Sequence, residues 1–282
     1  MPFPGWTLSG VYGAGGLQAF VKSGLNISGK RVVVAGTGPL LLAVAAGLRC
    51  ADARIVAVVE QAPLRRLGRF SLNPLVGHTG KLIEGAGYGW SILGTPYWTG
   101  SWAVGALGDE RLRKVRVSSG SQVVEVEADM LAAGFHLVPN TELAQLLHCE
   151  CERGYVIVNP MQQTSLEGVY CVGEATGIGG IEKALIEGRI AALAVSGQMN
   201  EARSLTRLRN RHMHFVDELA SAFRLRDELR TLATNETVVC RCEDVSHGTL
   251  AACHSWREAK LHTRCGMGPF QGRVCGPATQ FL

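Results

Sequence analysis

Short apolar runs alternate along the chain with glycine-rich turns and amphipathic segments. Residues 32–35 and 55–59 are continuous apolar runs, a pattern typical of strands buried on both faces of a sheet. Between them, an apolar segment that begins near Pro39 and extends through Leu48 predicts a helix, because proline suits the first helical turn. Together these segments predict a β-α-β unit with parallel strands and a right-handed crossover.

Less regular patterns predict the other elements of the first half. We expect a short helix at residues 17–22, strands within 95–117 and a half-exposed strand at 123–127, where apolar and polar residues alternate. Residues 62–93 are helical in pattern but are interrupted by glycine and proline.

The second half is predicted to contain longer helices. Its elements are a strand near Gly134, a helix at 141–147, strands at 155–158 and 169–172, and helices at 180–196 and 204–232. In the helix at 180–196, apolar residues recur at helical spacing and predict an amphipathic helix, whose stripe is Ile181, Ala184, Leu185, Gly188, Ala192 and Val195. We place a domain boundary just before residue 237.

Composition and charge narrow the class of protein. The 282 residues suffice for one large domain or two medium ones, and 46% hydrophobic residues support a sizeable core. A net charge of +4 is too weak a bias to indicate nucleic-acid binding. No signal-peptide pattern opens the chain, and its longest charge-poor stretch is short for a membrane helix. Nine cysteines in such a chain point to buried thiols, metal ligation or redox chemistry before disulfides.

A glycine-rich turn, Gly36 to Pro39 with a second glycine at Gly38, lies between the first predicted strand and helix. Glycines allow the backbone to approach a pyrophosphate held at a helix N-terminus. Leu41 replaces the third glycine of G-x-G-x-x-G, and Glu60 ends the next strand, where an acidic residue binds a ribose hydroxyl. The combination predicts an NAD(P)- or ATP-type site; a Rossmann unit that has lost its nucleotide is the alternative.

A second turn joins a predicted strand to the amphipathic helix. A strand that delivers a carboxylate, followed by glycines and a helix start, is suited to bind a ribityl or ribose hydroxyl. This arrangement resembles the second flavin-contacting segment of flavoproteins with two dinucleotide-binding domains, in which an acidic residue after V-Y-x-x-G binds FAD. Glu174 occupies that position, and the resemblance assigns FAD contacts to Gly173, Glu174, Ala175 and Gly179.

Cysteines concentrate near the C-terminus. Cys240 and Cys242 form a C-x-C pair, and Cys265 and Cys275 follow in a glycine-rich segment. Paired thiolates in two loops joined by a helical segment suit a [2Fe–2S] cluster, whose irons together need four ligands. A tetrahedral zinc site is the competing interpretation, although C-x-C at these spacings is an uncommon zinc pattern.

The cysteine segment resembles the bacterioferritin-associated-ferredoxin-like [2Fe–2S] domain. It is close to the version fused to the A (alpha) subunits of opine oxidases, hydrogen cyanide synthase and dye-linked proline or hydroxyproline dehydrogenases. Their second cysteine pair reads G-M-G-x-C-Q-G-R-x-C, and here Phe270 replaces its first cysteine. Cys265 is the nearby substitute. The resemblance covers nearly the whole chain, from residues 3–8 to the cysteine tail.

The resemblance implies an α/β fold of the two-dinucleotide-binding-domain flavoprotein type, Rossmann-like and incomplete at the N-terminus, with a small, mainly helical C-terminal [2Fe–2S]-type domain. The implied divisions are a leading segment with an NAD(P)-type nucleotide-binding domain at 1–133, the C-terminal part of an FAD-binding domain at 134–200, a helical connector at 201–236 and the cluster domain at 237–282. Relatives carry an N-terminal FAD half before the position of Met1, so we expect the FAD site to be incomplete in this chain.

The implied function is an electron-transfer subunit of a flavin-dependent dehydrogenase or oxidase that acts on an amine, imino acid, amino acid or opine. A flavoprotein beta subunit would oxidise the substrate, and a small-molecule or quinone-type acceptor would take the electrons. We expect a cytoplasmic protein, associated with the inner membrane only through partners. The alternatives are a non-catalytic scaffold that has lost FAD and the cluster, and a stand-alone NAD(P)H-dependent flavin reductase.

Overall fold

The computed structural model describes residues 1–72, 87–88, 90 and 92–282. The chain divides into two compact units. One unit contains Met1–Gly68, the described residues of Gly80–His136, and Phe223–Leu282; the other contains the described residues of Arg69–Thr79 and Leu137–Ala222. The four-part division at residues 133, 200 and 236 stays a prediction.

A parallel sheet is the centre of the first unit. Its five strands lie in the order β1-β8-β2-β3-β4, and every neighbouring pair is parallel. The elements are β1 (Val11–Gly13), α1 (Ala14–Lys22), β2 (Arg31–Gly36), α2 (Leu40–Cys50), β3 (Arg54–Glu60), α3 (Leu64–Leu72) and β4 (Tyr97–Thr99), and later β8 (Met130–Gly134). The predicted β-α-β unit, and with it the α/β fold class, is confirmed. Of the helical pattern at 62–93, α3 is confirmed, while residues 73–86, 89 and 91 lie outside the described residues.

Both faces of the sheet are covered, as the uninterrupted apolar runs predict. Along β2, Val33 and Ala35 join one hydrophobic cluster while Val32 and Val34 join another. The second cluster contains residues of α1 and α2. Alternate side chains of a strand point to opposite faces, so a strand buried on both sides has no polar positions to spare.

An antiparallel sheet lies between β4 and β8 in the sequence. Its strands are β5 (Trp102–Leu107), β6 (Lys114–Ser118) and β7 (Val123–Glu127), in that order. Strand β7 is at the edge and is largely exposed, in agreement with its alternating pattern. Trp102, Val115 and Val117 of this sheet pack into the same cluster as Val33.

The second unit is mainly helical. It contains α4 (Glu142–Leu146), a short hairpin of β9 (Cys151–Glu152) and β10 (Tyr155–Val156), α5 (Gly180–Val195) and α6 (Met199–Ala222). The predicted strand at 169–172 is wrong: the structure has an isolated bridge between Gln163 and Tyr170 there. The predicted helix at 204–232 begins earlier and ends at Ala222, since an extended segment and the 3-10 helix Asp227–Thr231 follow.

Helix α5 is present, but its burial is opposite to that expected of an amphipathic helix. Ile181 is 74% exposed and Leu185 is 62% exposed, whereas Lys183 and Glu187 are fully buried. Two charged side chains that satisfy each other therefore take the inner face of this helix. The apolar stripe faces outward in the described structure.

The C-terminal segment has its own small core within the first unit. Its elements are β11 (Val238–Cys240), β12 (Val245–Ser246), α7 (His247–Ala251), α8 (Trp256–Thr263) and α9 (Cys275–Phe281). Near the other end of the chain, the indole N–H of Trp6 donates to the carbonyl of Val238, and Arg241 donates to the carbonyl of Thr7 at 2.9 Å. None of the described helices is both long and apolar enough to cross a membrane.

Candidate functional site

The glycine-rich turn lies at the carboxyl ends of β2 and β8. A Cβ on Gly36 would approach the carbonyl oxygen of Gly134 to 2.0 Å, so this glycine is required by the contact between two strands. Gly38 has a φ of +98°, and a Cβ placed on it would meet no heavy atom within 4 Å, so its backbone conformation alone requires glycine. Pro39 immediately precedes α2, as predicted.

Glu60 is fully buried at the end of β3, and its carboxylate points into this turn. It accepts hydrogen bonds from the N–H of Gly38 at 2.8 Å, the N–H of Ala62 at 2.7 Å and the hydroxyl of Thr37 at 3.0 Å. Burial raises the pKa of Glu60 to about 7, although these donors oppose the shift. The carboxylate thus occupies the anion-binding N-terminus of α2.

Glu174 lies on the 3-10 turn Gly173–Thr176, just before α5. Its side chain is exposed and accepts a hydrogen bond from the N–H of Gly180 at 2.8 Å. Ala175 is half-buried and Gly179 is buried, and a Cβ on Gly179 would lie 2.4 Å from Lys183 Cδ. The predicted FAD-contacting residues therefore share one turn, and their role in binding FAD stays a prediction.

A buried ion pair holds this turn, and sequence analysis missed it. Lys183 Nζ donates to the carbonyl of Gly173 at 2.9 Å and lies 2.8 Å from both Thr176 Oγ1 and Glu187 Oε2. The Glu187 carboxylate also accepts from the N–H of Gly173, from the Thr176 hydroxyl and from Arg209. Burial opposes the charge on Glu187, but these hydrogen bonds hold its pKa below the usual value. The available signal was the i, i+4 spacing of lysine and glutamate.

Cys240, Cys265 and Cys275 converge in the C-terminal segment. All three are buried, and their sulfur atoms lie within 4.8 Å of one another. Three thiols at this separation fit a thiolate-bound metal centre, since soft sulfur ligands favour zinc, copper(I) or iron–sulfur clusters. The structure therefore brings together three of the four cysteines that sequence analysis selected.

The protein environment of Cys240 favours a thiolate. Burial disfavours the charge, but backbone N–H groups of Gly266, Glu243 and Cys242 donate to its sulfur and hold its pKa below the usual value. Burial and the neighbouring thiols instead raise the pKa of Cys265 and of Cys275. A metal cation would compensate the repulsion among three thiolates at this spacing.

Cys242 is outside the triangle of thiols but adjacent to it. It is partly exposed, and a Cβ on Gly268 would lie 2.3 Å from Cys242 Cβ and 3.2 Å from its sulfur. Phe270, at the family's cysteine position, is 55% exposed. A [2Fe–2S] cluster needs four ligands, so the residues present fit one if Cys242 is the fourth.

Two contacts fix the loops that carry the cysteines. Arg264 Nε lies 3.0 Å from Glu243 Oε2, which joins the segment before Cys265 to the segment after Cys242. Trp256 covers the glycine-rich loop, and a Cβ on Gly266 would approach its ring to 2.9 Å. The thiols are thus held by packing as well as by the chain.

Comparisons with known proteins agree with this assignment of elements. The family described as pyridine nucleotide-disulphide oxidoreductase matches residues 97–198. Hydrogen cyanide synthase subunit HcnB from Pseudomonas aeruginosa is 34% identical over 98% of this chain and 65% of the relative. The A (alpha) subunit of opine oxidase from Rhizobium meliloti strain 1021 is 31% identical over 98% of this chain and 65% of the relative.

Among solved structures, a thioredoxin reductase from T. acidophilum matches with a TM-score of 0.49 and 18% identity. That match covers 70% of this chain and 62% of the other. The chain spans about 65% of the length of the two curated relatives.

Proposed function

Because the chain belongs to the group that contains hydrogen cyanide synthase subunit HcnB and the A (alpha) subunit of opine oxidase, we propose that it is an electron-transfer subunit of a flavin-dependent dehydrogenase or oxidase. The substrate would be an amine, imino acid, amino acid or opine, oxidised by a flavoprotein beta subunit. The observation that carries the proposal is the convergence of Cys240, Cys265 and Cys275.

In this proposal the cysteine site holds a [2Fe–2S] cluster, which supplies one-electron transfer when bound. Cys240, Cys265 and Cys275 are three ligands, and Cys242 is the fourth. The N–H groups that donate to Cys240 sulfur would stabilise its thiolate in the bound form, because hydrogen bonds to cluster sulfurs tune the reduction potential. The buried thiols would shield the centre from solvent.

Glu174 is the proposed contact of this chain with FAD. Its carboxylate is exposed on a turn that the buried Lys183–Glu187 pair fixes, so it is accessible and positioned. We propose that Gly173, Ala175 and Gly179 line the same contact, which other parts of the complex would complete. The proposed partners are a small-molecule or quinone-type acceptor and a flavoprotein beta subunit.

Iron and acid-labile sulfide analysis after anaerobic purification tests the proposal. We expect two irons and two sulfides per chain in the wild type, with the visible absorbance of a [2Fe–2S] centre. Cys265→Ser should lose the cluster, because a centre with a missing thiolate leaves one iron open to water. Cys253→Ser is the matched control, since Cys253 is not among the three converging thiols.

The exposed Phe270 favours a second candidate, a scaffold subunit that keeps the fold but has lost the cluster. It predicts no iron in the wild type and two irons in Phe270→Cys, where the family spacing is restored. One zinc per chain in place of iron, retained in Phe270→Cys, would contradict both candidates and identify a structural metal site.

A further inference from the structure

The segment after α6 lies against the glycine-rich turn. We define residues Phe223, Arg224, Leu225 and Arg226 as the connector, because they join α6 to the C-terminal part of the first unit. The connector meets the turn at the carboxyl ends of β2 and β3. This edge is where open parallel sheets ordinarily bind dinucleotides.

Gln61 is the main attachment point for the connector. It directly follows β3, is fully buried, and its amide nitrogen donates to the carbonyl of Arg224 at 3.2 Å and lies 3.4 Å from the carbonyl of Phe223. Its amide oxygen accepts the backbone N–H of Arg226 at 3.1 Å. Both polar ends of one glutamine side chain therefore bind the connector backbone.

Thr37 joins this attachment to the turn itself. Its hydroxyl lies 3.3 Å from the carbonyl of Phe223, 3.0 Å from the Glu60 carboxylate and 2.9 Å from the Gln61 side-chain nitrogen. The middle residue of the glycine-rich turn thus takes part in one buried network with Glu60, Gln61 and the connector.

Contacts on either side hold the connector in place. Arg66, on α3, donates to the carbonyl of Arg224 at 3.4 Å. The guanidinium of Arg226 lies 4.2 Å from the centre of the Trp102 ring, and Leu225 packs against the sheet cluster. The connector is therefore bound by hydrogen bonds, a cation–π contact and apolar packing.

The groups that a dinucleotide needs are already in use. A pyrophosphate would accept from the N–H at the start of α2, and Gly38 donates that hydrogen bond to Glu60. A ribose would bond to the acidic residue after β3, and the carboxylate of Glu60 is fully buried against the turn. As arranged, these residues do not fit a dinucleotide.

We propose that the glycine-rich turn is an intramolecular docking site for the connector, and that a docked connector and a dinucleotide exclude each other there. The connector replaces a nucleotide as the ligand of this edge of the sheet. This inference is independent of the cysteine site, since none of its contacts involves a cysteine. A chain without any metal would show it equally.

Hydrogen exchange and calorimetry on the full chain test the exclusion. In the wild type we expect the backbone N–H of Arg226 to be protected and no saturable binding of NADH, NADPH or ADP up to about 1 mM, the top of the usual KM range. Gln61→Ala should accelerate exchange at Arg226 and create binding at least tenfold tighter than in the wild type. Gln122→Ala, in an exposed turn, is the matched control.

Arg66→Ala provides a second test, because Arg66 is only half-buried and its loss weakens the connector without opening the core. Wild-type binding accompanied by loss of protection at Arg226 would also support mutual exclusion. Binding with that protection unchanged would overturn it. Absence of binding in wild type and in both variants would overturn it as well, since the turn itself would then be unable to hold a dinucleotide.

Discussion

The carboxylate of Glu60 accepts the backbone N–H of Gly38 at 2.8 Å, and both groups are buried at the start of α2. A helix N-terminus attracts negative charge, but complete burial of a carboxylate opposes it. The balance raises the pKa of Glu60 to about 7. One side chain therefore links the state of the turn to pH.

The pH dependence of stability should report this side chain. A raised pKa means that the folded chain binds the Glu60 proton more tightly than the unfolded chain does, so stability falls as pH rises from the ordinary glutamate value to about 7. We expect Glu60→Gln to remove about 2–3 kcal/mol of that fall. Denaturant melts between about pH 5 and pH 8 measure it. Glu110→Gln, at an exposed position, should keep the wild-type dependence.

Breaking the Lys183–Glu187 pair should strongly destabilise the chain. Glu187→Ala leaves the Lys183 ammonium buried without its carboxylate, which typically costs about 3–5 kcal/mol. Thermal or denaturant unfolding measures the loss. Arg189→Ala, on an exposed position of the same helix, should change stability by less than about 0.5 kcal/mol. Equal effects of the two substitutions would show that the pair contributes nothing beyond an exposed charge.

The outward stripe of α5 should tolerate polar residues. Because Ile181 and Leu185 are largely exposed, Ile181→Ser and Leu185→Ser should each change the free energy of unfolding by less than about 0.5 kcal/mol. Ile190 is fully buried, so Ile190→Ala should cost about 2–5 kcal/mol. Denaturant unfolding of this chain compares them. A large loss in either serine variant would contradict the orientation of the helix.

Displacing Cys242 should test its role as the fourth ligand. A Cβ in Gly268→Ala would lie 2.3 Å from Cys242 Cβ, so the Cys242 side chain must move, while the three converging thiols are not in that contact. We expect Gly268→Ala to lower iron content at least as much as Cys242→Ser does. In Gly276→Ala the new Cβ meets Trp256 at an ordinary 3.8 Å, so this control should retain the metal. Full iron in Gly268→Ala would remove Cys242 from the ligand set.

The sequence predicts the parallel sheet well because its strands are buried on both faces. Val32 to Ala35 leave no polar position, and that pattern has few other solutions. The order of strands does not follow from such runs, since the pairing of β1 with β8 depends on contacts between distant residues. The strand predicted at 169–172 failed for a related reason: an apolar run without a partner strand forms no ladder.

The sites were predictable in composition but not in arrangement. C-x-C and the later cysteines indicate a thiolate site, yet nothing in their spacing separates Cys265 from Cys242 as a member of the buried triangle. The orientation of α5 was hidden because period analysis assumes that charged residues face water. Lys183 and Glu187 reverse that assumption by satisfying each other inside.

The hydrogen bond from Trp6 to Val238 joins residues 232 positions apart, which has a consequence for synthesis. At the usual elongation rates the ribosome needs on the order of 10–50 s to make the intervening chain. During that interval the indole has no native partner, and the parallel sheet also waits for its own late strand, β8. Long-range closure of this kind is slow and exposes apolar surface meanwhile. Growth temperature during expression therefore sets how long the first residues made must wait for the last.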